Sequence, residues 1–261
     1  MPVLMTVRSG INRAMPELSK NPLICALDTV DIARARRLRD AVAAHVGAFK
    51  IGLEFFTIHG AAGVEKILTA DDALFLDLKF HDIPNTVAGA VRAAVERLHP
   101  AILDVHAAGG ATMMRAASEA AAQTAEQTGI TRPEMLAVTV LTSMDVRSLE
   151  ETGISRPVAD QVGALGRLAR EAGLDGVVCS GHEIALLRRK CGRDFRLLTP
   201  GIRPQGVARG DQKRVMSPAE AVSAGADYLV IGRPITAAPD PEAAAAAIAA
   251  EITAAKTPAV A

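Results

Sequence analysis

Residues 73–80 read ALFLDLKF, a short apolar run with two opposite charges in its second half. Successive side chains of a β-strand point to opposite faces, so the three leucines and Phe80 share one face, and Asp77 and Lys79 share the other. Burying both charges costs several kcal/mol per ion unless they are paired and hydrogen-bonded. The run therefore predicts a strand with one ordinary packing face and one chemically unusual face.

Seven further apolar runs of β type are spread along the chain. Helical patterns such as IARARRLRDAVAAHV at 32–46 and TVAGAVRAAVERL at 86–98 lie between them. A strand and helix alternation that persists over the whole length predicts parallel strands joined by helical crossovers. The seven runs are LICALD at 23–28, AFKIGL at 48–53, AILDVHAA at 101–108, MLAVTVLT at 135–142, GVVCS at 176–180, FRLLTPGI at 195–202 and DYLVIGRPI at 227–235.

Two α/β architectures accommodate this alternation, a closed (β/α)8 barrel and an open doubly wound sheet. The barrel is favoured because eight units occupy a chain of 261 residues, close to the roughly 250 residues that this fold commonly uses. The first junction, LDTVD at 27–31, also lacks the glycines of a dinucleotide-binding turn. We expect a single (β/α)8 TIM barrel domain over residues 22–255, with an N-terminal extension at 1–21 and a tail at 256–261.

The composition disfavours several functional classes. Basic and acidic side chains both number 29, and this zero net charge argues against a general attraction to nucleic acid or to an anionic membrane. Residues 1–20 lack the apolar stretch of a signal peptide, and no apolar run reaches the roughly 18 residues of a membrane span. Cys25, Cys179 and Cys191 have no metal-ligand spacing and fit a reducing compartment. We expect a cytoplasmic globular protein that binds neither nucleic acid nor membrane.

Charged residues recur where the predicted strands end. Asp28 closes the first run, Lys50 interrupts the second, and Asp82 follows Asp77 and Lys79. The carboxyl ends of barrel strands form the active site, so these charges are expected around one mouth. Plainer readings stay open: a helix N-cap for Asp28, a lysine reaching solvent for Lys50, and a structural ion pair for Asp77 with Lys79.

Such a cluster is suited to decarboxylation. Carboxylates keep a neighbouring lysine protonated, and lysines keep neighbouring aspartates ionised. An ammonium group can give a proton to a carbanion. A fixed aspartate repels a substrate carboxylate, and that repulsion is relieved when the carboxylate leaves as CO2.

A second candidate site follows the last two strands. The seventh run leads into TPGIRPQGVARGDQKR at 199–214, and the eighth ends in VIGRPI at 230–235. Loops after strands 7 and 8 often bind phosphate in these barrels, with arginine as a bidentate donor. Gly232 permits close backbone approach and Arg233 supplies charge, and the long loop could close as a lid. The alternative is a solvated basic loop.

Several of these strings together resemble one family. They are DLKFHDIPNT at 77–86, FKIG at 49–52, VTVLTS at 138–143, TPGIRP at 199–204, GDQKR at 210–214 and IGRPI at 231–235. In this order they resemble the orotidine 5'-phosphate decarboxylases, especially the bacterial branch. The resemblance implies a (β/α)8 barrel that converts orotidine 5'-phosphate to UMP and CO2 in pyrimidine synthesis, without a metal or an organic cofactor.

The resemblance also implies roles for residues around the reacting carbon. Lys79 matches the proton donor to C6 of the pyrimidine, and Asp77 the residue that crowds the departing carboxylate. Lys50 matches a residue that orients the charges and contacts the ribose. Asp28 matches the partner of a ribose hydroxyl, and Thr142 a residue near the pyrimidine edge.

The resemblance also implies which residues bind the phosphate and which residues reach a second subunit. The phosphate-binding positions of the family correspond to Arg203, Gln212, Gly232 and Arg233. Asp82, Ile83 and Thr86 match further catalytic and substrate-binding positions, and Asp82 and Thr86 reach the neighbouring subunit's site in the family. The resemblance therefore implies a homodimer.

Two rivals stay open at the level of the sequence. The 3-keto-L-gulonate 6-phosphate decarboxylases share the D-x-K-x-x-D string and the barrel but use Mg2+, and typically lack the I-P-N-T that follows here. Glu54, shortly after Lys50, leaves a metal ligand conceivable. A catalytically silent nucleotide-binding module is the other rival, and it is expected to have lost Asp77 or Lys79.

Overall fold

Eight parallel strands form the centre of the molecule. The computed structural model describes residue 18 and residues 21–204 and 216–256. The strands are β1 (Leu23–Ala26), β2 (Ala48–Gly52), β3 (Leu74–Phe80), β4 (Ile102–His106), β5 (Glu134–Val138), β6 (Gly176–Val178), β7 (Arg196–Pro200) and β8 (Tyr228–Ile231). Seven of the eight predicted runs contain a whole strand, and the run at 135–142 begins one residue after β5 does.

The sheet closes on itself. Each strand pairs in parallel with its sequence neighbours, and β1 also pairs with β8 through Leu23 beside Leu229 and Cys25 beside Ile231. The open doubly wound sheet is thereby excluded, and the (β/α)8 barrel is confirmed.

Helices cover the outside of the barrel and connect its strands. They are α1 (Ile32–Val42), α2 (Leu53–Ile67), α3 (Pro84–Leu98), α4 (Gly110–Thr128), α5 (Val146–Glu151), α6 (Val158–Glu171), α7 (Ile184–Cys191), α8 (Pro218–Ala224), α9 (Arg233–Thr236) and α10 (Pro241–Lys256). The strand run expected at 227–235 is too long, because Gly232 ends β8 and the chain turns directly into α9.

Local sequence explains where several helices begin. Asp31 caps α1 by accepting a hydrogen bond from the Arg34 N–H, and Pro84 occupies the first turn of α3, where no N–H partner is needed. Ser217 and Glu220 form a capping box at α8. These signals fix the residues at which the chain leaves each strand end and enters the covering layer.

Two apolar clusters hold the barrel together. The outer cluster lies between strands and helices and includes Leu74, Leu76 and Leu78 of β3. The inner cluster fills the barrel and includes Phe75 of the same strand. The alternation predicted for residues 73–80 is therefore present, with the leucines under the helices. The inner cluster also contains Leu18, from the segment predicted to be an extension.

The amino-terminal end of the barrel carries a polar network. The Tyr228 hydroxyl donates to Glu134 Oε1 over 3.1 Å, and Arg196 Nε lies 3.3 Å from the same oxygen. All three residues stand at the first position of a strand. In the part of the chain that the structure describes, no helix is long and apolar enough to cross a membrane.

Candidate active site

Four charged side chains form a row of alternating sign at the carboxyl ends of β1, β2 and β3. Lys50 Nζ lies 3.1 Å from Asp28 Oδ1 and 3.2 Å from Asp77 Oδ2. Lys79 Nζ forms an ion pair with the other oxygen of Asp77, Oδ1. We call Asp28, Lys50, Asp77 and Lys79 the charged row. Its order, acid, amine, acid, amine, gives each inner member two partners of opposite sign.

Strand register explains how the row is assembled. Ala48 belongs to the inner cluster, and Lys50 is two residues further along β2 and so points inward as well. The same relation connects Phe75 with Asp77 on β3. Because β2 and β3 are hydrogen-bonded neighbours, with Gly52 beside Asp77, these inward side chains meet.

Burial and charge act in opposite directions on the two inner members. Burial tends to lower the pKa of Lys50, but Asp77 and Asp28 outweigh it and raise that pKa. Burial tends to raise the pKa of Asp77, but Lys50 and Lys79 outweigh it and lower that pKa. Both groups are therefore charged at neutral pH.

Lys79 has an unusual backbone conformation. Its φ is +49°, in the left-handed region that residues with a β-carbon rarely occupy. The pairing of β3 with β4 shifts register between Leu76 and Phe80, so the strand is irregular where Lys79 stands. Such backbone strain costs about 1–3 kcal/mol and persists where surrounding contacts impose it, often at active sites.

Asp104 is the residue that the sequence analysis missed. It lies on β4, is fully buried, and accepts the backbone N–H of Lys79 at Oδ1 over 2.8 Å. Its carboxyl group is also close enough to that of Asp77 for each to shift the pKa of the other. The signal was the same alternation that identified Asp77, since Asp104 is two residues beyond inward-facing Ile102.

Two histidines stand beside the charged row. The rings of His81 and His106 are tilted against each other, with centroids 5.5 Å apart. Burial, assisted by the charges of His81 and Lys79, lowers the pKa of His106. Within the described ranges, no group of three or more His, Cys, Asp or Glu side chains is arranged to hold a metal ion.

A cavity of about 180 Å³ opens onto the row. Lys50, Asp77 and Lys79 form its charged wall. Apolar side chains, including Val138 and Leu198, form the remainder together with Thr142. A flat ring that carries one charged substituent fits such a cavity, because the apolar walls accommodate the ring and the charged wall faces the substituent.

The predicted phosphate residues follow β7 and β8, which are paired through Pro200 and Val230. The Arg203 N–H donates to the Met216 carbonyl over 3.0 Å. Arg233 is exposed at the start of α9. A β-carbon at Gly232 would lie 3.2 Å from Asp28 Oδ2, so this position has little room for a side chain. Gln212 lies outside the described residues.

Asp82, Ile83 and Thr86 follow the end of β3. All three are exposed in the single chain, and Ile83 keeps 66% of its surface accessible. Asp82 Oδ1 accepts the Ile83 N–H over 2.6 Å, and Asp82 forms no ion pair with a described residue. The role of Asp82 at a substrate site stays a prediction, and within the described residues of this chain its carboxylate does not pair with the charged row. The reason is that the backbone leaves the strand before Asp82.

A closed (β/α)8 barrel with a charged row at its carboxyl-terminal mouth is typical of one class, the barrel enzymes, whose active sites lie at that end. Within that class the chain belongs to the Orotidine 5'-phosphate decarboxylase / HUMPS family, whose profile matches residues 21–248.

Individual relatives agree with this family. The chain is 53% identical to an orotidine 5'-phosphate decarboxylase of Moorella thermoacetica, over 97% of this chain and 98% of the relative. It is 54% identical to the one of Rhodospirillum rubrum, over 91% and 96%. The crystal structure of the Lactobacillus acidophilus orotidine 5'-phosphate decarboxylase superposes with a TM-score of 0.77 at 35% identity, covering 89% of this chain and 99% of that one.

Proposed function

We propose that this chain catalyses the decarboxylation of orotidine 5'-phosphate to UMP and CO2, the last step of UMP synthesis, with Lys79 as the proton donor. One observation carries the proposal, the pairing of Asp77 with both Lys50 and Lys79 at the wall of the cavity. This row supplies a fixed negative charge and a fixed acid side by side, and family membership supplies the substrate.

The proposed step begins with the pyrimidine ring in the cavity and its carboxylate against Asp77. The bond between C6 and the carboxylate carbon breaks, CO2 leaves, and the electron pair of that bond stays on C6. The repulsion between the substrate carboxylate and Asp77 disappears as CO2 forms, so it favours the transition state over the bound substrate. Since Lys50 keeps Asp77 ionised, the repulsion is present throughout binding.

Lys79 then acts on the carbanion. Its ammonium group stabilises the developing charge at C6. An N–H bond of Lys79 breaks and the proton moves to C6, which completes UMP and leaves a neutral amine for solvent to reprotonate. The step balances without an oxidant, a reductant or another reactant, in agreement with the expectation that no cofactor takes part.

The remainder of the substrate is assigned by family membership. Asp28 and Lys50 are proposed to contact ribose hydroxyls, and Thr142 the pyrimidine edge. Arg203, Gln212, Gly232 and Arg233 are proposed to bind the phosphate. Binding energy from the phosphate is remote from C6 and can be used to hold the carboxylate against Asp77. A substrate without phosphate should therefore lose turnover as well as affinity.

Ultraviolet absorbance of orotidine 5'-phosphate, followed with purified protein in EDTA, tests the activity. We expect the substrate absorbance to decay at an unchanged rate with the chelator. An inactive protein under these conditions contradicts the proposal, and activity that needs added Mg2+ favours a metal-dependent member of the family.

Lys79→Ala tests the proton donor. We expect nearly complete loss of turnover, with UMP binding retained in calorimetry because the phosphate and ribose contacts remain. Lys66→Ala, an exposed lysine at the end of α2, is the matched control and should keep normal turnover. Near-normal turnover in Lys79→Ala refutes the assigned role.

We further propose a homodimer in which Asp82 and Thr86 complete the partner's site. Exposed apolar side chains support this, since Leu53 and Ile58 of α2 and Ile83 before α3 are 54%, 59% and 66% accessible in the single chain. Burying such a patch is favourable at about 25 cal/mol per Å². The unpaired thiols of the three buried cysteines support placing the protein in the cytoplasm.

Mixing inactive variants tests the shared site. Lys79→Ala and Asp82→Ala chains are combined under conditions that exchange subunits. Recovered activity is expected, because one of the two sites in each mixed dimer then has both intact residues. Mixed dimers that form without recovering activity contradict the sharing.

A further inference from the structure

Asp104 is buried beneath the charged row, and the mechanism proposed above does not use it. The row itself is balanced, with two carboxylates and two ammonium groups. An ionised Asp104 would add a third negative charge, at a position that is itself closed to water. Burial raises the pKa of Asp104 well above its usual value, and the charge of Asp77 adds to this effect.

The contacts of Asp104 distinguish its two oxygens. Oδ1 accepts the Lys79 N–H over 2.8 Å. Oδ2 is buried, and no N–H or O–H of the described residues donates to it. The carboxyl group is close enough to that of Asp77 for each to shift the pKa of the other, and two carboxyl groups form a hydrogen bond only when one of them carries a proton. The lysines keep Asp77 ionised, so Asp104 is the member that holds the proton.

We propose that Asp104 is a positioning residue: as a neutral acid it donates its O–H to the Asp77 carboxylate, while Oδ1 holds the Lys79 backbone in its left-handed conformation. One side chain thereby fixes both the group that repels the substrate carboxylate and the group that protonates C6. This inference rests on the function proposed above for Asp77 and Lys79.

The surroundings of Asp104 agree with a neutral acid. From β3, Asp77 and Lys79 face it, and Lys50 of β2 acts through Asp77. On its own strand the nearest titratable group is His106, whose pKa is lowered by burial. Across β5 the register partner is the buried, apolar Leu136. Among the groups with the largest effect on the pKa of Asp104, Lys79 is the one cation.

Two substitutions separate the possible roles. Asp104→Asn keeps an acceptor for the Lys79 N–H and an N–H donor for Asp77, and it cannot ionise. Asp104→Val has a similar size but neither polar group. A neutral positioning role predicts wild-type turnover for Asp104→Asn. For Asp104→Val it predicts a loss of about tenfold to a hundredfold in kcat, the expected effect of two hydrogen bonds.

The pH profile gives a readout that a purely structural role does not move. The hydrogen bond from Asp104 lowers the pKa of Asp77, so its removal raises that pKa. The acid limb of kcat against pH should therefore move to higher pH in Asp104→Val and stay in place in Asp104→Asn. UMP binding should be unchanged in both variants, because the loss affects the reacting groups and not the phosphate.

Infrared spectroscopy reads the proton directly and applies even if Asp104→Val does not fold. The difference between wild type and Asp104→Asn at neutral pH should contain the carbonyl band of one protonated carboxylic acid. Absence of that band overturns the inference. Equal losses of kcat in both variants overturn the inference too, since Asp104 then works as an anion. Wild-type kcat in a folded Asp104→Val also overturns it. Normal turnover in Lys79→Ala instead refutes the proposed function. The infrared measurement of the Asp104 proton does not depend on that result.

Discussion

Replacing Lys50 by methionine tests whether the charged row is one coupled unit. Its ammonium group lies 3.1 Å from Asp28 Oδ1 and 3.2 Å from Asp77 Oδ2. Methionine retains a flexible, unbranched apolar stem and removes the charge and the donors. Among the described residues, Asp77 then keeps only Lys79 as a paired cation, and Asp28 can turn to solvent because its side chain is already 56% exposed.

The expected loss of stability follows from what remains buried. Removing one partner of a buried ion pair costs about 3–5 kcal/mol, since the other charge stays without compensation. The lower end applies here because Lys79 still faces Asp77. We expect Lys50→Met to lower the free energy of unfolding by about 3 kcal/mol at neutral pH, measured by urea denaturation. The control Lys66→Met, on the exposed end of α2, should change it by no more than about 0.5 kcal/mol.

The pH dependence of this difference has a definite sign. A carboxyl group whose pKa is lowered in the folded state, as in Asp77, contributes stability above its unfolded pKa of about 3.9. That contribution is lost as the pH falls through the folded pKa. The difference between wild type and Lys50→Met should therefore be complete at neutral pH and shrink below about pH 4. Equal losses for Lys50→Met and Lys66→Met, or a loss that stays constant into acid, refute the coupling.

Three further outcomes are expected. Arg233→Ala should lower kcat/KM by about tenfold to a hundredfold through loss of a charged contact to phosphate. The control Arg36→Ala, at an exposed position on α1, should leave kcat/KM unchanged, and an unchanged kcat/KM in Arg233→Ala contradicts the assignment. Gly232→Ala should lower activity because its β-carbon would meet Asp28 Oδ2 at 3.2 Å. Full activity in this variant contradicts the reasoning, since Asp28 then moves aside without loss of function. Arg188→Met should cost about 3 kcal/mol of unfolding free energy in urea, because the guanidinium donates to four backbone carbonyls around β7 and α8 and pairs with Asp227. A loss below about 0.5 kcal/mol assigns those bonds no net value.

The barrel could be predicted because its signal is repeated. Eight apolar runs separated by helical patterns leave few architectures, and the pairing of β1 with β8 removes the open sheet. Within one strand, the alternation around Asp77 and Lys79 also identified the face that points into the barrel. These inferences use only the period of a strand, which does not depend on distant parts of the chain.

Other features of the site depend on contacts between distant segments and could not be read from one strand. The left-handed conformation of Lys79 arises where β3 slips against β4. The position of Asp82 depends on where the backbone departs from β3, which neighbouring apolar residues do not reveal. The two-residue period of a strand also predicts that Asp104 points inward. It does not predict that Asp104 lies near Asp77, because that depends on β3 and β4 being neighbours.

Closure of the sheet also constrains how the protein is made. The strand that completes the barrel, Tyr228–Ile231, pairs with Leu23–Ala26 near the other end of the sequence. During translation β1 leaves the ribosome long before β8 exists, so the growing sheet has unpaired edges until β8 has been made. Open edges invite pairing with other chains. The nascent chain is therefore most exposed to aggregation before β8 has been made, and a chaperone that shields those edges should raise the yield of folded protein more than one that acts on the finished barrel.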